Sequence, residues 1–159
     1  DRLKTMEVYL TPADKEADDK LEKDFHELSI GGHPRPVRLR VQGREIEIPK
    51  VAEGVAMAGF GDLCEKPLGP ADYLAIAENF HTLVLRGIPK LGPKKRNEAK
   101  RFVTLIDALY EAKVNLICSA DAPAEALYEE GDGAFEFERT VSRLMEMRSV
   151  EYMAQPHAG

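Results

Sequence analysis

The chain has 159 residues and a formal net charge of -6; 43% of its residues are hydrophobic and 31% are charged. This composition supports one core of ordinary size, and therefore one domain with or without an N-terminal extension. The acidic balance argues against a general nucleic-acid-binding surface, so we expect no nucleic acid among the partners. No apolar run approaches 18 residues, so we also expect no transmembrane segment.

The N-terminal thirty residues carry an acidic helix. Thr11 supplies an N-cap and Pro12 a first-turn proline, so we expect the helix to begin there and to extend to about Ser29. Its narrow apolar stripe consists of Leu21, Phe25 and Leu28. The sequence thus predicts a mostly solvated helical segment at residues 1–30, more mobile than the α/β region of residues 31–159.

A β-hairpin follows at about residues 36–49, after a stretch of glycines and prolines that ends the helix. Gln42 and Gly43 form the expected two-residue turn. In that register one face carries the charged pairs Arg38/Glu47 and Arg40/Glu45, and the other carries Leu39/Ile46 and Val37/Ile48. Charge and hydrophobicity therefore favour the same register.

The second half alternates helices and strands. A helix beginning at Pro70 precedes a strand of residues 82–86, a helix of residues 97–112 and a strand of residues 114–119. We expect this β-helix-β unit, about residues 82–119, to be parallel and right-handed. The sequence therefore predicts an α/β fold.

Two cysteines, Cys64 and Cys118, lie in apolar settings in this half. Neither has the Cys-x-x-Cys or Cys/His spacing of a metal site. We interpret both as buried, reduced thiols of a protein from a reducing compartment, and we expect no metal ligands.

One C-terminal helix is expected at about residues 138–154, and it carries Arg139 and Arg143 one turn apart on the same face. A guanidinium is always charged and its forked donors suit phosphate oxygens, so the two arginines could form an anion clamp. The alternative is that each arginine forms an ordinary salt bridge with one of the neighbouring glutamates, which are Glu136, Glu138 and Glu146.

Asp107 is a second possible partner for these arginines. It lies in an apolar stretch of the helix at residues 97–112, where an inward-facing carboxylate needs a cation. Three arginines could supply that cation: Arg101, Arg139 and Arg143. The sequence leaves the choice open.

Four strings in chain order, at residues 60–73, 80–89, 101–110 and 137–147, resemble the C-terminal third of the ZapE-type ATPases. That family comprises the bacterial cell division protein ZapE and its mitochondrial Afg-type relatives, which are AAA+ P-loop ATPases. The resemblance covers about residues 55–155. It implies that the chain is the C-terminal part of a P-loop ATPase-like fold, with the hairpin, the β-helix-β unit and several helices.

The resemblance also implies ligands and partners. ATP and Mg²⁺ are expected for the longer protein, together with a missing N-terminal ATPase core, a possible homo-oligomer and a protein client or division-machinery partner. The location would be the cytoplasm of a bacterium or, in a eukaryote, the mitochondrion. Arg139 or Arg143 would then contact phosphate and complete the nucleotide site or the subunit interface.

The phosphate-binding motifs of such an ATPase are missing from this chain. A P-loop requires Gly-x-x-x-x-Gly-Lys followed by Ser or Thr, and magnesium requires an acidic residue at the end of an apolar strand. Neither pattern occurs, and Asp1-Arg2 falls where similar proteins have a strand ending in Asp-Tyr-Arg. We therefore interpret the chain as a C-terminal fragment that is inactive alone and needs no cofactor.

Residues 87–94 come near to a P-loop, because two glycines with the right spacing follow a strand and precede a helix. Pro89 and Pro93 each lack an N–H group, and Pro93 stands where the lysine should be. We interpret the segment as a solvated basic loop.

Ser119 and Asp121 are further candidates, because they lie at the carboxyl end of the second strand of the β-helix-β unit. In P-loop ATPases the equivalent edge senses the terminal phosphate, so the resemblance makes both residues weak nucleotide-binding candidates. The structural interpretation, which we favour, makes Asp121 the N-cap of a helix at residues 122–130.

Two functions from different classes remain. The chain is either the C-terminal region of a nucleoside-triphosphate hydrolase that uses Arg139 or Arg143, or a non-catalytic protein-binding module. In the second case the hairpin and the acidic helix recognise the partner, and the arginines are structural.

Overall fold

The computed structural model describes residues 7–131 and 133–158. The strands are β1 (Tyr9–Leu10), β2 (Arg35–Val41), β3 (Arg44–Ala52), β4 (Val55–Gly59), β5 (Thr82–Ile88) and β6 (Asn115–Ala120). The helices are α1 (Lys15–Leu28), α2 (Phe60–Cys64), α3 (Pro70–Asn79), α4 (Arg96–Glu111), α5 (Ala134–Met147) and α6 (Val150–Met153). Short 3₁₀ helices occupy Pro93–Lys95 and Ala124–Ala126.

The strands of the described residues form one mixed sheet in the order β1-β6-β5-β4-β3-β2. β1, β6, β5 and β4 pair in parallel, whereas β3 and β2 add to the β4 edge as antiparallel strands. The predicted parallel β-helix-β unit is thus confirmed as β5, α4 and β6. The sheet as a whole confirms an α/β fold consistent with the C-terminal portion of a P-loop ATPase.

Helices cover both faces of the parallel strands. β5 buries the consecutive residues Leu83, Val84 and Leu85, which point alternately to opposite faces, so both faces must be covered. α1 packs against β4, β5 and β6 through the buried Leu21 and Phe25. α4 packs against α2, α3 and α5. The result is a layered α/β core with the sheet in the middle.

The hairpin has the register that the sequence predicted. The paired positions are Val37/Ile48, Arg38/Glu47, Leu39/Ile46 and Arg40/Glu45. Gln42 and Gly43 both have positive φ, at 51° and 79°, as a two-residue turn of this kind requires. The four charged side chains are exposed, while Ile46 and Ile48 are buried.

The start of the acidic helix differs from the prediction. Thr11 is not its N-cap; the helix begins at Lys15, and Asp14 caps it by accepting a hydrogen bond from the N–H of Ala17 at 2.9 Å. Tyr9–Leu10, directly before Thr11, pairs with β6 instead. The expectation about Asp1-Arg2 lies outside the described residues.

The C-terminal helix also differs. The chain forms two helices rather than one at residues 138–154: α5 begins already at Ala134, and the helix is interrupted after Met147. Ser149 has an extended backbone and caps α6, its hydroxyl accepting from the N–H of Tyr152 at 3.1 Å. This local capping bond competes with helix continuation and explains the break.

The helix expected at residues 122–130 is reduced to the 3₁₀ turn Ala124–Ala126, and its N-cap position is Pro123, not Asp121. The segment is instead held by the loop after β5, because the carbonyl of Leu127 accepts a hydrogen bond from the N–H of Leu91 at 2.7 Å. Tyr128 then packs edge-on against Phe137 at 5.5 Å. These tertiary contacts override the weak local preference for a helix.

Candidate functional site

Arg139 and Arg143 meet at Asp107, where α5 packs on α4. Arg143 Nη1 donates to Asp107 Oδ1, and Arg139 Nη2 donates to Asp107 Oδ2 at 3.3 Å. Because α5 places the two arginines one turn apart, both reach the same carboxylate. Asp107 therefore has the cationic partner that its position in α4 requires. Arg101 is not that partner, since it donates to the backbone carbonyl of Cys64 at 3.0 Å.

Arg143 is held on several sides. Its guanidinium lies over the ring of Tyr110, 4.8 Å from the ring centre, and Nη2 is 3.8 Å from Glu111. Only 21% of its side chain is exposed. These contacts fix Arg143 as a packing residue between the two helices.

Tyr110 extends this cluster to α5 and α6. Its hydroxyl donates to Glu146 at 2.8 Å, a hydrogen bond that raises the pKa of Tyr110. The ring stacks on Tyr152 at 5.8 Å. Tyr152 is buried, and its hydroxyl lies within hydrogen-bonding distance of the carbonyl oxygens of Leu109 and Val114. The α4–α5–α6 contact is thus built from aromatic rings and charged groups together.

Arg139 is the more available of the two arginines. Its side chain is 65% exposed and its bond to Asp107 is longer than that of Arg143. If Arg139 turned outward, Asp107 would keep Arg143 as its partner, so no carboxylate would be left unpaired. The geometry allows Arg139 to contact an anion from solvent or from another chain, whereas Arg143 would have to give up several contacts.

Among the described residues, the glutamates that the sequence offered as partners for the two arginines do not pair with them. Within the described part of the chain, Glu136 and Glu138 form no ion pair with either arginine, and Glu146 bonds to Tyr110 instead. The expected pairing with these glutamates was wrong. Both arginines form salt bridges with the neighbouring helix instead, Arg139 with Asp107 and Arg143 with Asp107 and Glu111. Partners on another helix cannot be deduced from spacing along α5.

Ser119 and Asp121 lie at the carboxyl end of β6. Ser119 is buried, and its hydroxyl accepts a hydrogen bond from the N–H of Gly87 at 2.8 Å. The backbone N–H of Asp121 donates to the carbonyl of Ile88 at 2.9 Å, while its side chain is exposed. Ser119 therefore ties β6 to the end of β5, and Asp121 is a surface carboxylate that caps no helix.

The loop after β5 does not form a phosphate cradle. Three of its backbone N–H groups already have acceptors: Gly87 donates to Ser119, Leu91 to Leu127, and Lys95 to Gly92. Pro89 and Pro93 have no N–H group to offer. A P-loop needs several free N–H groups pointing at one anion, and these five positions of the loop have none to offer.

The structure does not join the two pairs of candidates. No hydrogen bond or ion pair between described residues connects Arg139 or Arg143 with Ser119 or Asp121. The two arginines lie on α5 against α4, whereas Ser119 and Asp121 lie at the carboxyl end of β6. They do not form one site in this chain.

Both cysteines are buried and free. Burial raises the pKa of Cys118 from its ordinary value of 9.0 to about 12, and it raises that of Cys64 further still. Thiols that stay protonated are poor nucleophiles, so neither is a candidate catalytic group. The description of these residues as buried thiols is confirmed.

Residues 7–131 and 133–158 hold neither a group of metal ligands nor a membrane-spanning helix. That part of the chain contains no cluster of three or more histidine, cysteine, aspartate or glutamate side chains able to hold a metal ion. It also contains no helix that is both long and apolar enough to cross a bilayer.

An ion pair that the sequence analysis missed links the hairpin to α3. Asp72 is fully buried; Arg44 Nη2 donates to both of its carboxylate oxygens at 2.9 Å, and the N–H of Gly69 donates to Oδ2 at 2.8 Å. The two residues are 28 positions apart, so no local pattern could pair them. The one signal in the sequence was Arg44 itself, a cation at the hairpin turn that the predicted charged pairs of the hairpin leave without a partner.

The mixed sheet with its β-helix-β unit makes the chain an α/β protein, consistent with the C-terminal portion of a P-loop ATPase-like fold. The chain belongs to the AFG1-like ATPase family, whose family model matches residues 1–156. This agrees with the ZapE-type resemblance of the sequence.

Its relatives come from bacteria and eukaryotes. The chain is 31% identical to cell division protein ZapE of Escherichia coli, over 98% of this chain and 42% of the relative. It is 32% identical to lactation elevated protein 1 homolog B of Danio rerio, over 91% of this chain and 36% of the relative. The chain thus spans about two fifths of the length of these curated relatives. No solved structure matches it.

Proposed function

We propose that this chain is the C-terminal part of an ATP-hydrolysing protein in which ATP and Mg²⁺ are bound by a preceding P-loop core. The observation that carries this proposal is the match to the AFG1-like ATPase family across residues 1–156. The chain itself has no P-loop sequence, and in the loop that resembles one three N–H groups already have acceptors and two residues are prolines. The ATP-binding groups must therefore come from the rest of the longer protein.

Within that protein we assign the phosphate-contacting role to Arg139 rather than Arg143. Arg139 is exposed and can leave Asp107 without stranding the carboxylate. An arginine that reaches the terminal phosphate, from the same chain or from a neighbouring subunit, stabilises the charge that develops in the transition state. Arg143 would support it by keeping Asp107 neutralised.

The test is steady-state ATP hydrolysis by the longer protein carrying Arg139→Ala or Arg143→Ala. Arginines of this kind are worth about a thousandfold in turnover. We expect Arg139→Ala to lower turnover strongly at an unchanged melting temperature, and Arg143→Ala to lower the melting temperature as well. Arg139→Lys should restore activity only in part, because lysine keeps the charge and loses the fork.

Arg40→Ala is the matched control. Arg40 is an exposed arginine of the hairpin, 3.7 Å from Glu45, and its replacement removes the same charge far from α5 in sequence. It should leave turnover near that of the unmodified protein. Turnover of Arg139→Ala equal to that of Arg40→Ala would contradict the proposed role.

The partners follow from the relatives by analogy. A homo-oligomer would let Arg139 act on a neighbouring subunit. The name of the Escherichia coli relative suggests a division-machinery partner, and protein quality control is the alternative role for a protein client. The location would be the bacterial cytoplasm or the mitochondrion.

A second candidate function is a non-catalytic protein-binding module with structural arginines. The observation favouring it is that Arg139 and Arg143 both bond to Asp107 within the chain itself. In that case both alanine variants would change stability and binding, and neither would affect hydrolysis beyond its effect on folding.

A further inference from the structure

A cleft of about 500 Å³ lies between α4 and α5. Its apolar walls are formed by Ala99 and Val103 of α4, Phe137 of α5 and the ring of Tyr128. Ala99, Tyr128 and Phe137 are buried members of the core, so the apolar walls are backed by well-packed residues. A cavity of this size can hold one or two apolar side chains or a small organic molecule.

The rim of this cleft carries several cations. The charged residues that line its described part are three cations, Arg96, Lys100 and Arg139, and one carboxylate, Glu136. The chain as a whole has a net charge of -6, so a lining in which cations outnumber carboxylates departs from its overall acidic composition. Such a local field attracts anionic groups and repels cationic ones.

Lys100 and Arg139 are available to a ligand. Lys100 is exposed and forms no ion pair with another described residue, and Arg139 is 65% exposed. Phe135, in the first turn of α5, is also 81% exposed, which adds an apolar surface next to the residues that line the cleft. An apolar floor with cations above it is complementary to an apolar group flanked by carboxylates.

We propose that the α4–α5 cleft binds an acidic peptide segment of a partner protein, with one apolar side chain inserted between Val103 and Phe137 and carboxylates meeting Lys100 and Arg139. Apolar anchors in pockets supply most of the affinity of such contacts, and charges at the rim supply selectivity and speed of association. A small inorganic anion would use only the rim and would leave the apolar walls uncovered. This peptide-binding role goes beyond ATP hydrolysis, although it shares Arg139 with the proposed phosphate contact.

The probe is a fluorescein-labelled peptide of about twelve residues, with a central leucine-phenylalanine pair flanked by aspartates and glutamates. Fluorescence anisotropy measures its binding to the full 159-residue chain at low and at physiological salt. We expect saturable binding that weakens as salt rises, because the rim charges are exposed. Lys100→Glu should weaken it by about tenfold.

Lys23→Glu is the matched control, since Lys23 is an exposed lysine of α1 and the change in charge is identical. It should bind the peptide like the unmodified chain. Equal binding by Lys100→Glu and Lys23→Glu, with both variants folded, would overturn the proposal. So would equal binding of a peptide in which two serines replace the central apolar pair.

Two other occupants give different results. If inorganic phosphate displaces the peptide at the concentration at which phosphate binds alone, the cleft is a simple anion site and the peptide proposal fails. If analytical ultracentrifugation shows a dimer that Lys100→Glu dissociates, a second copy of the chain occupies the cleft instead. Normal ATP turnover by Lys100→Glu in the longer protein would separate this site from the proposed role of Arg139.

Discussion

Asp107 accepts hydrogen bonds from two arginines of α5, and it is 31% exposed while Arg143 is 21% exposed. Replacing Asp107 with asparagine removes the charge but keeps the shape, leaving Arg143 with Glu111 as its one remaining carboxylate. We expect a loss of about 1 to 2 kcal/mol in the free energy of unfolding, because hydrogen bonds to charged groups are the stronger ones. Urea denaturation measures the loss. Glu138→Gln, at an exposed position of α5, should change stability by less than about 0.5 kcal/mol.

The buried thiol of Cys118 should make the free energy of unfolding depend on pH in the alkaline range. Burial raises its pKa from 9.0 to about 12, so the unfolded chain releases this proton at a lower pH than the folded chain does. The contribution is fully present below pH 9.0 and is lost as the pH rises towards 12.

Between pH 9 and 10 the loss from this one thiol should be about 1 kcal/mol in the free energy of unfolding. Urea denaturation at several pH values measures it. Cys118→Ala should be less stable at every pH, but its decline above pH 9 should be shallower. A parallel decline in both proteins would show that the thiol is not responsible.

At the scale of single residues, the sequence could show that a side chain needs a partner. It could not show which residue that partner is when the two are far apart in the chain. The carboxylate of Asp107, among the apolar residues Leu105, Ile106 and Leu109, was expected to pair with a cation, and it pairs with two arginines. Which arginine pairs with Asp107 depends on the angle at which α5 packs across α4, and this angle cannot be predicted from a local sequence pattern. Ser119 is a similar case, because its bond to Gly87 exists only once β5 and β6 are neighbours.

At the scale of elements, the Arg44–Asp72 ion pair connects the hairpin to α3. Asp72 is fully buried, so removing Arg44 leaves a buried charge whose remaining hydrogen bond comes from the N–H of Gly69. We expect Arg44→Met to reduce the free energy of unfolding by about 2 to 3 kcal/mol, since uncompensated buried charge is costly and Arg44 itself is half exposed.

The comparison for this prediction is Arg40→Met on the same hairpin. Arg40 faces solvent with Glu45 at 3.7 Å, and exposed pairs contribute about 0.2 to 1 kcal/mol. Thermal or urea unfolding of both variants therefore distinguishes the buried pair from the exposed one. Similar losses in the two variants would mean that the hairpin is held by its apolar face alone.

Elements with a strong repeating pattern were predictable, and their ends were not. Alternation along β2 and β3 fixed the hairpin register, and the stripe of Phe102, Leu105, Ile106 and Leu109 fixed α4. The start of α1, the break after Met147 and the 3₁₀ turn at Ala124 depend on single capping bonds or on tertiary contacts. β1 is only two residues long, and it is a strand because β6 lies beside it.

For the whole molecule, the question is whether this chain can bind nucleotide without the rest of the protein. A triphosphate with Mg²⁺ needs free backbone N–H groups, a lysine and an acidic residue arranged around one point. In the loop after β5, three N–H groups donate to Ser119, Leu127 and Gly92, and the two prolines have no N–H group. The lysines of the loop are surface charges that lack a surrounding set of backbone N–H groups to bind phosphate.

We therefore expect isothermal titration of the chain with magnesium-ATP to show no binding in the micromolar range, while the longer protein binds. Weak attraction of the triphosphate to surface lysines should disappear as salt rises, because exposed charges are screened within about 8 Å at physiological ionic strength. Binding that is micromolar, resists salt and is lost in Lys94→Glu but retained in Lys23→Glu would place a phosphate site in this loop. That outcome would mean that the loop rearranges and releases its N–H groups, and the ATP-binding role assigned to a preceding core would have to be abandoned.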